Sequence, residues 1–375
     1  MDRFDFIVIG AGIAGASAAY EIAERAGVLL LERESQPGYH TTGRSAALYM
    51  ESYGTPAIRA LTRASRAFFD APPEVFGSEP LLSPRGVLHV AQPDQGELLE
   101  AAWRELSERG GGVRRVGRDE MLALVPCLRP EATGAGLAED SASDIDVHAL
   151  HQGYLRGLRQ RGGQVRNHAE VVALSRADGL WTVRLADGQA VQARHVVNAA
   201  GAWADEIAKL AGVRLIGLEP RRRSAFTFSA PAGVDASRWP AVVGVDESYY
   251  FKPDAGQLLG SPANADPVAP HDVVPEELDV AMGIYRIEQA TTMTIRRPGH
   301  TWAGLRSFVA DGDMVIGWDV QAEGFFWLAA QGGYGIQSAP GAALLARSLA
   351  LGEPLPQGLQ DQGVDVRALS PGRLD

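Results

Sequence analysis

The chain has 375 residues, is 46% hydrophobic and 22% charged, and carries a formal net charge of −11. That length exceeds one ordinary core and suggests two domains, while the acid excess argues against nucleic acid or an anionic membrane as the main partner. A single cysteine, Cys127, excludes an intrachain disulfide and a multi-cysteine metal site, and no other metal-ligand spacing stands out.

A strand is predicted almost at once, over Phe4 to Gly10 (FDFIVIG), continuously apolar as a strand buried on both faces should be. It leaves no room for a signal peptide, and no apolar run is long enough to span a bilayer, so a cytoplasmic protein without a transmembrane segment is expected. The strand runs into Gly10-Ala11-Gly12-Ile13-Ala14-Gly15, then a helix over Ala16 to Arg25, Gly27, a second strand Val28-Leu29-Leu30-Leu31, and Glu32 at its end. Each glycine has a physical reason to be there. Gly10 allows the tight turn, Gly12 lets backbone approach a pyrophosphate, and Gly15 lets helix and strand pack closely. Amides at the helix start, around Ile13 and Ala14, bind phosphate. Glu32 is placed to accept ribose hydroxyls and to repel a 2′-phosphate, which counts against NADP. A glycine-rich turn without ligand is the bland reading; strand, glycines, helix, strand and acid in this order favour a dinucleotide.

Beyond Glu32 comes a stretch without strand periodicity, from Arg33 through Thr41, Thr42, Gly43, Arg44, Ser45 and Ala46, which reads either as a surface loop or as a second cofactor contact. Ala91 to Leu124 is polar, with Gly110-Gly111-Gly112 as a break. Glu170 to Leu174, including Val172, and Trp181 to Leu185 form a meander that leads to the buried strand Val196-Val197-Asn198-Ala199-Ala200-Gly201-Ala202-Trp203. Arg221-Arg222-Arg223 opens another strand, and alternation turns Arg222 to the opposite face from its neighbours. Tyr249 to Lys252 and Gln257 to Gly260 read as a hairpin around Asp254-Ala255-Gly256. Arg306 sits between Gly304-Leu305 and Ser307-Phe308, where a charge needs a partner; a buried ion pair is its structural alternative, as a solvated face is for the arginine triplet. Phe325 to Ala330 is a further strand, followed by Gln331-Gly332-Gly333-Tyr334-Gly335-Ile336-Gln337, a glycine turn entering a helix whose amides could face a flavin. His148 and His151 are read as structural. The tail after Gly352 is Pro- and Gly-rich and is expected to pack loosely.

These stretches, together with YGTPAIRALTRASRAFFD, LHQGYLRG, RRRSAF, LLGSPANADPV and TTMTIRRPGHTWAGLRSFVADGD, resemble the D-amino-acid oxidase superfamily of flavoproteins. Within it they are most similar to the bacterial FAD-dependent D-arginine and D-amino-acid dehydrogenases. The matching stretches run from residue 7 to about 337. The resemblance implies an α/β fold in which a Rossmann-like FAD-binding domain (1–80, 146–210, 300–375) is interleaved with a mainly antiparallel-sheet, α+β substrate domain (81–145, 211–299). It implies non-covalent FAD held by the glycine loop, Glu32, Arg33, residues 42–46, Val172, Ala200, Gly201, Trp203, Gly304 and residues 333–337, with His40 as the alternative attachment point.

The implied activity is oxidative deamination of D-amino acids. Hydride leaves Cα for the flavin, the imino acid hydrolyses to a 2-oxo acid and ammonia, and a quinone or another acceptor takes the electrons. Arg306 would hold the substrate carboxylate with Arg223 or Arg222 as second clamp, and the Tyr53 and Tyr250 phenols would line the pocket with Gly333. This chain departs from the arginine-oxidising pattern at Leu48, Met50 and Val87, where the relative has a histidine, a polar residue and an acid. A neutral, apolar side-chain preference is therefore expected, with Glu51 keeping basic substrates open. Glycine- or sarcosine-type amines, a 2-hydroxy acid, and a non-catalytic flavin-binding role are the alternatives.

Overall fold

Both faces of β1 (Arg3–Ile9) are covered, which is why its sequence does not alternate. In the computed structural model, which describes residues 2–107 and 112–374, Phe6 and Val8 pack with the helical residues Ala16, Ala19, Ile22, Ala342 and Leu345. Ile7 and Ile9 face the other way, onto Trp181, Val183, Ile207 and Trp327. Gly110 and Gly111 of the expected glycine break lie outside the described residues.

β1 continues into α1 (Ile13–Ile22) and β2 (Val28–Leu31), and β1 and β2 pair in parallel from Phe6↔Val28 to Ile9↔Leu31. On its other side β1 pairs in parallel with the strand Ala190–Asn198, which the meander strands Val171–Ala177 and Leu180–Leu185 precede. The strand Phe325–Ala329 joins the same sheet and leads toward the helix Ala339–Leu351, which packs on α1. A second, nine-stranded sheet is antiparallel except where Val87–Ala91 pairs in parallel with Ala241–Gly244. One of its faces carries Phe226, Phe251 and Leu88, closed by Met121 of the helix Arg118–Leu124, by Ile287 of the helix Glu277–Ala290 and by Cys127. The Asp254-Ala255-Gly256 turn forms as read, with φ of +47° at Ala255 and +79° at Gly256. Among the described residues no helix is long and apolar enough to cross a membrane.

Three expectations need correction. The strand Thr301–Phe308, assigned by sequence to the cofactor unit, pairs over eight positions with Glu219–Phe228 in the second sheet, and the chain rejoins the first sheet only at Val315–Trp318. A half-buried strand carries no mark of its partner, so composition could not place it. A small third sheet of Leu48–Tyr49, Leu82–Pro84 and Ser143–Ile145 ties together segments that the expected boundaries at 80 and 145 separate. The tail is packed, not loose: Leu359 and Leu369 are fully buried in the same core as α1.

Candidate active site

The glycine loop is built around contacts that no side chain could share. Gly10 has φ +99°, and a Cβ there would sit 2.5 Å from the Ala199 carbonyl oxygen; a Cβ at Gly15 would lie 1.9 Å from the Gly10 carbonyl oxygen. Gly12 differs. Its backbone is ordinary extended chain and its Cβ would meet only the Thr42 hydroxyl at 3.2 Å, so space, not strain, is what this glycine preserves. α1 opens without a side-chain cap on Gly12 and without an acid in its first turn, and Thr42 Oγ1 accepts from the Ile13 amide at 3.0 Å. Glu32 accepts from the Ala11 and Glu34 amides, both at 3.0 Å, which fixes its carboxylate beside the loop. On the far side of the loop, the Arg33 guanidinium stacks 4.2 Å from the Trp203 ring, next to Ala200 and Gly201, while Val172 lies exposed on its strand.

A helix N-terminus without an acid in its first turn, a cradle that a Cβ would fill and an anchored acid fit the pyrophosphate and ribose of FAD. Gly12, Ile13, Ala14, Glu32, Thr42 and the Ala200–Trp203 turn would hold it. His40 is bonded to Glu34 at 2.9 Å and packs against Trp203, and His151, buried, bonds the Ala11 carbonyl at 2.9 Å; the latter has the structural role expected of it.

The 41–46 segment joins the two sheets. Thr41 donates to the Leu305 carbonyl at 2.8 Å and the Trp302 indole donates to the Arg44 carbonyl at 3.1 Å. The Arg44 guanidinium, expected at the cofactor, bonds instead to the Val273 and Ala303 carbonyls and to Asp272. A cofactor contact by Arg44 is thereby left to its backbone. Gly43, Ser45 and Ala46 flank it, and Gly304 of the strand Thr301–Phe308 faces this segment, where an added Cβ would make only an ordinary 3.6 Å contact with the Arg44 Cβ. Gln337 is similarly committed: its side-chain oxygen accepts from the Met50 amide and its side-chain nitrogen donates to the Thr62 hydroxyl.

Arg306 and Arg223 converge. Arg221 lies opposite Arg306 and Arg223 opposite Gly304, so the pleat sends Arg223 and Arg306 to one side. Arg306 Nη1 donates to the Tyr53 hydroxyl at 3.3 Å, and a Cβ on Gly333 would lie 2.8 Å from the same nitrogen. Tyr334, beside Gly335 and Ile336, meets the Tyr53 ring edge-on at 4.9 Å; burial, then Tyr53, pushes its phenol up to about 12. Arg223 Nε donates to the Asn264 carbonyl at 2.6 Å. Burial and then the neighbouring Arg306 charge push Arg223 down to about 10. For Arg306, burial opposes the charge but the Tyr53 and Tyr250 phenols outweigh it, and its pKa is raised.

Among the described residues neither guanidinium forms an ion pair. Arg222 is the contrast and the correction. It points to the opposite face, where Asp279 at 3.0 Å, Glu276 and Asp266 neutralise it, so it is not the second clamp. Two close cations without an ion-paired acid make a site for an anionic group, and the planar forks suit a carboxylate.

Leu48, Met50 and Val87 lie in one apolar cluster with Tyr53, Ala142, Ala241 and Val243. Glu51 does not supply an acid to it: the Tyr49 hydroxyl donates to its carboxylate at 3.1 Å. The residue missed by sequence reasoning is Glu139, fully buried and directly opposite Val87 in the ladder. Within GLAEDSASD it looks like one of several turn acids, and nothing local marks it. Burial pushes its carboxyl up to about 6 from an ordinary 4.5, against the hydrogen bonds from Ser52 and Glu51.

A raised carboxyl pKa means that its contribution to stability is complete below about pH 4.5 and is lost as pH rises through about 6. Glu139→Gln should therefore gain thermal stability relative to the unmodified chain between pH 4.5 and 7, by up to about 2 kcal/mol. Melting temperatures across that range check it; a constant difference would contradict the shift.

The sequence profile of the family described as FAD dependent oxidoreductase matches residues 5–349. The chain is 27% identical over 229 residues to L-2-hydroxyglutarate dehydrogenase of Escherichia coli (strain K12), covering 58% of this chain and 51% of that protein. It is 25% identical to glycine oxidase of Bacillus licheniformis over 94% of each chain. Its fold is similar to that of L-proline dehydrogenase from P. horikoshii, with a TM-score of 0.84, 20% identity and coverage of 99% and 98%. The chain spans about half the length of the first of these and only 31% of another relative, mitochondrial dimethylglycine dehydrogenase of Rattus norvegicus.

Proposed function

Because the chain belongs to the FAD-dependent oxidoreductase family, we propose that it oxidatively deaminates D-amino acids with neutral, apolar side chains, using non-covalent FAD. The observation that carries this reading is the pair Arg306 and Arg223, two converging guanidiniums with phenols beside them and, among the described residues, no ion pair to a carboxylate; Glu247 acts on Arg223 only from beyond ion-pair distance. Bound FAD supplies a two-electron acceptor for the hydride that leaves the substrate Cα. The arginines grip the α-carboxylate and fix where Cα lies, which is the largest help a protein gives such a step. Tyr53 and Tyr250 orient the arginine fork and wall it from water. The amine loses its proton to solvent before the hydride leaves; the imino acid then takes up water and releases ammonia and a 2-oxo acid. A quinone or another carrier as electron acceptor, and a cytoplasmic location, complete the proposal.

The side-chain preference rests on the Leu48, Met50 and Val87 cluster. The cluster itself carries no charged group for a cationic side chain, and Glu139, opposite Val87, is fully buried and held by hydrogen bonds from Glu51 and Ser52. A 2-hydroxy acid is the second reading, favoured by the likeness to L-2-hydroxyglutarate dehydrogenase and by a clamp that suits any α-carboxylate. Anaerobic mixing with a panel of D- and L-amino acids and 2-hydroxy acids, followed by flavin bleaching, separates these. D-leucine, D-methionine and D-phenylalanine should reduce the flavin with higher kcat/KM than D-arginine, and Val87→Glu should raise D-arginine turnover. A marked preference for D-arginine in the unmodified enzyme would sink the apolar reading.

A further inference from the structure

Glu139 is a buried carboxylate with no basic side chain among its described partners, an arrangement that costs stability unless its oxygens are well used. They are used on one short segment. The Glu51 amide donates to Oε1 at 2.9 Å and the Ser52 hydroxyl donates to Oε2. The next residue is Tyr53, whose hydroxyl accepts from Arg306. From the opposite direction the Met50 amide donates to Gln337 at 3.2 Å, in the glycine turn after the strand Phe325–Ala329. Residues 50–52 are thus held between one sheet and the other, and the chain turns immediately afterwards at Gly54, with φ +98°.

Resting on the carboxylate-clamp reading above, we propose that Glu139 is a positioning residue: by fastening Glu51 and Ser52 it sets the Tyr53 phenol against Arg306 and so shapes the substrate clamp. A neutral amide at position 139 can still accept from Glu51, but no longer offers two equivalent anionic acceptors. Without that hold, Tyr53 swings away and Arg306 loses the group that orients its fork. The effect appears in substrate binding more than in the chemical step.

The test uses the FAD-loaded enzyme and benzoate, a carboxylate that cannot be oxidised, with its Kd read from perturbation of the flavin spectrum. Glu139→Gln and Ser52→Ala should each raise the benzoate Kd by roughly 10-fold, with FAD content retained. For the best substrate of the panel KM should rise similarly, while kcat moves less than about 3-fold. In a Tyr53→Ala background the Glu139→Gln effect on Kd should vanish. A merely structural glutamate would shift melting temperature or FAD content and leave Kd alone, and that result overturns the proposal. Ser52→Ala, which leaves the buried carboxylate and its charge in place, tests the same hold independently of the stability change expected of Glu139→Gln. Benzoate binding by the unmodified enzyme with unchanged variants overturns this inference only; no binding or reduction by any carboxylate overturns the clamp reading and this inference with it.

Discussion

Arg306→Met should lower kcat/KM for the preferred substrate by roughly 150- to 5000-fold, which corresponds to about 3–5 kcal/mol for breaking a desolvated charge pair and leaving the other ion alone. Most of the loss should fall on KM, because the interaction forms with the carboxylate and persists through the reaction. Stability should not fall in parallel. In the free enzyme burial and then the Arg306 charge both disfavour the Arg223 cation, so removing the Arg306 charge relieves a repulsion that binding otherwise relieves. Arg306→Lys keeps the charge but not the fork and should lose less. Steady-state kinetics and thermal melts on the same preparations check both halves. An unchanged KM in Arg306→Met would show that the substrate is held elsewhere.

Gly12→Val should yield folded protein that purifies without flavin absorbance. At Gly15 a side chain would collide with backbone at 1.9 Å, and at Gly10 the positive φ forbids one, so substitutions there confuse folding with binding. Gly12 separates them: the nearest atom to an added Cβ is a hydroxyl 3.2 Å away, and the backbone is extended. A side chain there occupies the approach to the amides of α1 and displaces the pyrophosphate. Far-UV circular dichroism close to that of the unmodified chain, with an empty flavin spectrum, is the expected pair of results. Stoichiometric FAD in Gly12→Val would refute the placement of the phosphates.

The dinucleotide unit was legible because its elements follow one another directly in the chain. β1, the glycines, α1, β2 and Glu32 are contiguous, and the constraints on Gly10 and Gly15 arise within a few residues of chain or from the adjoining parallel strand. The apolar cluster of Leu48, Met50 and Val87 was legible for a different reason: the resemblance aligned those positions, and the three-stranded sheet brings two of their segments together.

Where partners are distant in sequence, residue type ran out. Alternation in the arginine triplet separated Arg222 from Arg223, but only the pairing of Glu219–Phe228 with Thr301–Phe308 settled which face meets Arg306 and which meets Asp279 and Glu276. The same pairing moved a whole strand from one sheet to the other. Glu139 became visible only through the ladder that sets it opposite Val87 and the hydrogen bonds that reach it from Glu51 and Ser52, 88 and 87 residues away. Residue order alone was enough to specify a dinucleotide-binding strand–helix–strand at the start of the chain, since short-range sterics leave few choices there. Which charges are neutralised and which are left to take a ligand emerged only when the two sheets came together, because the state of a charge depends on what surrounds it in space.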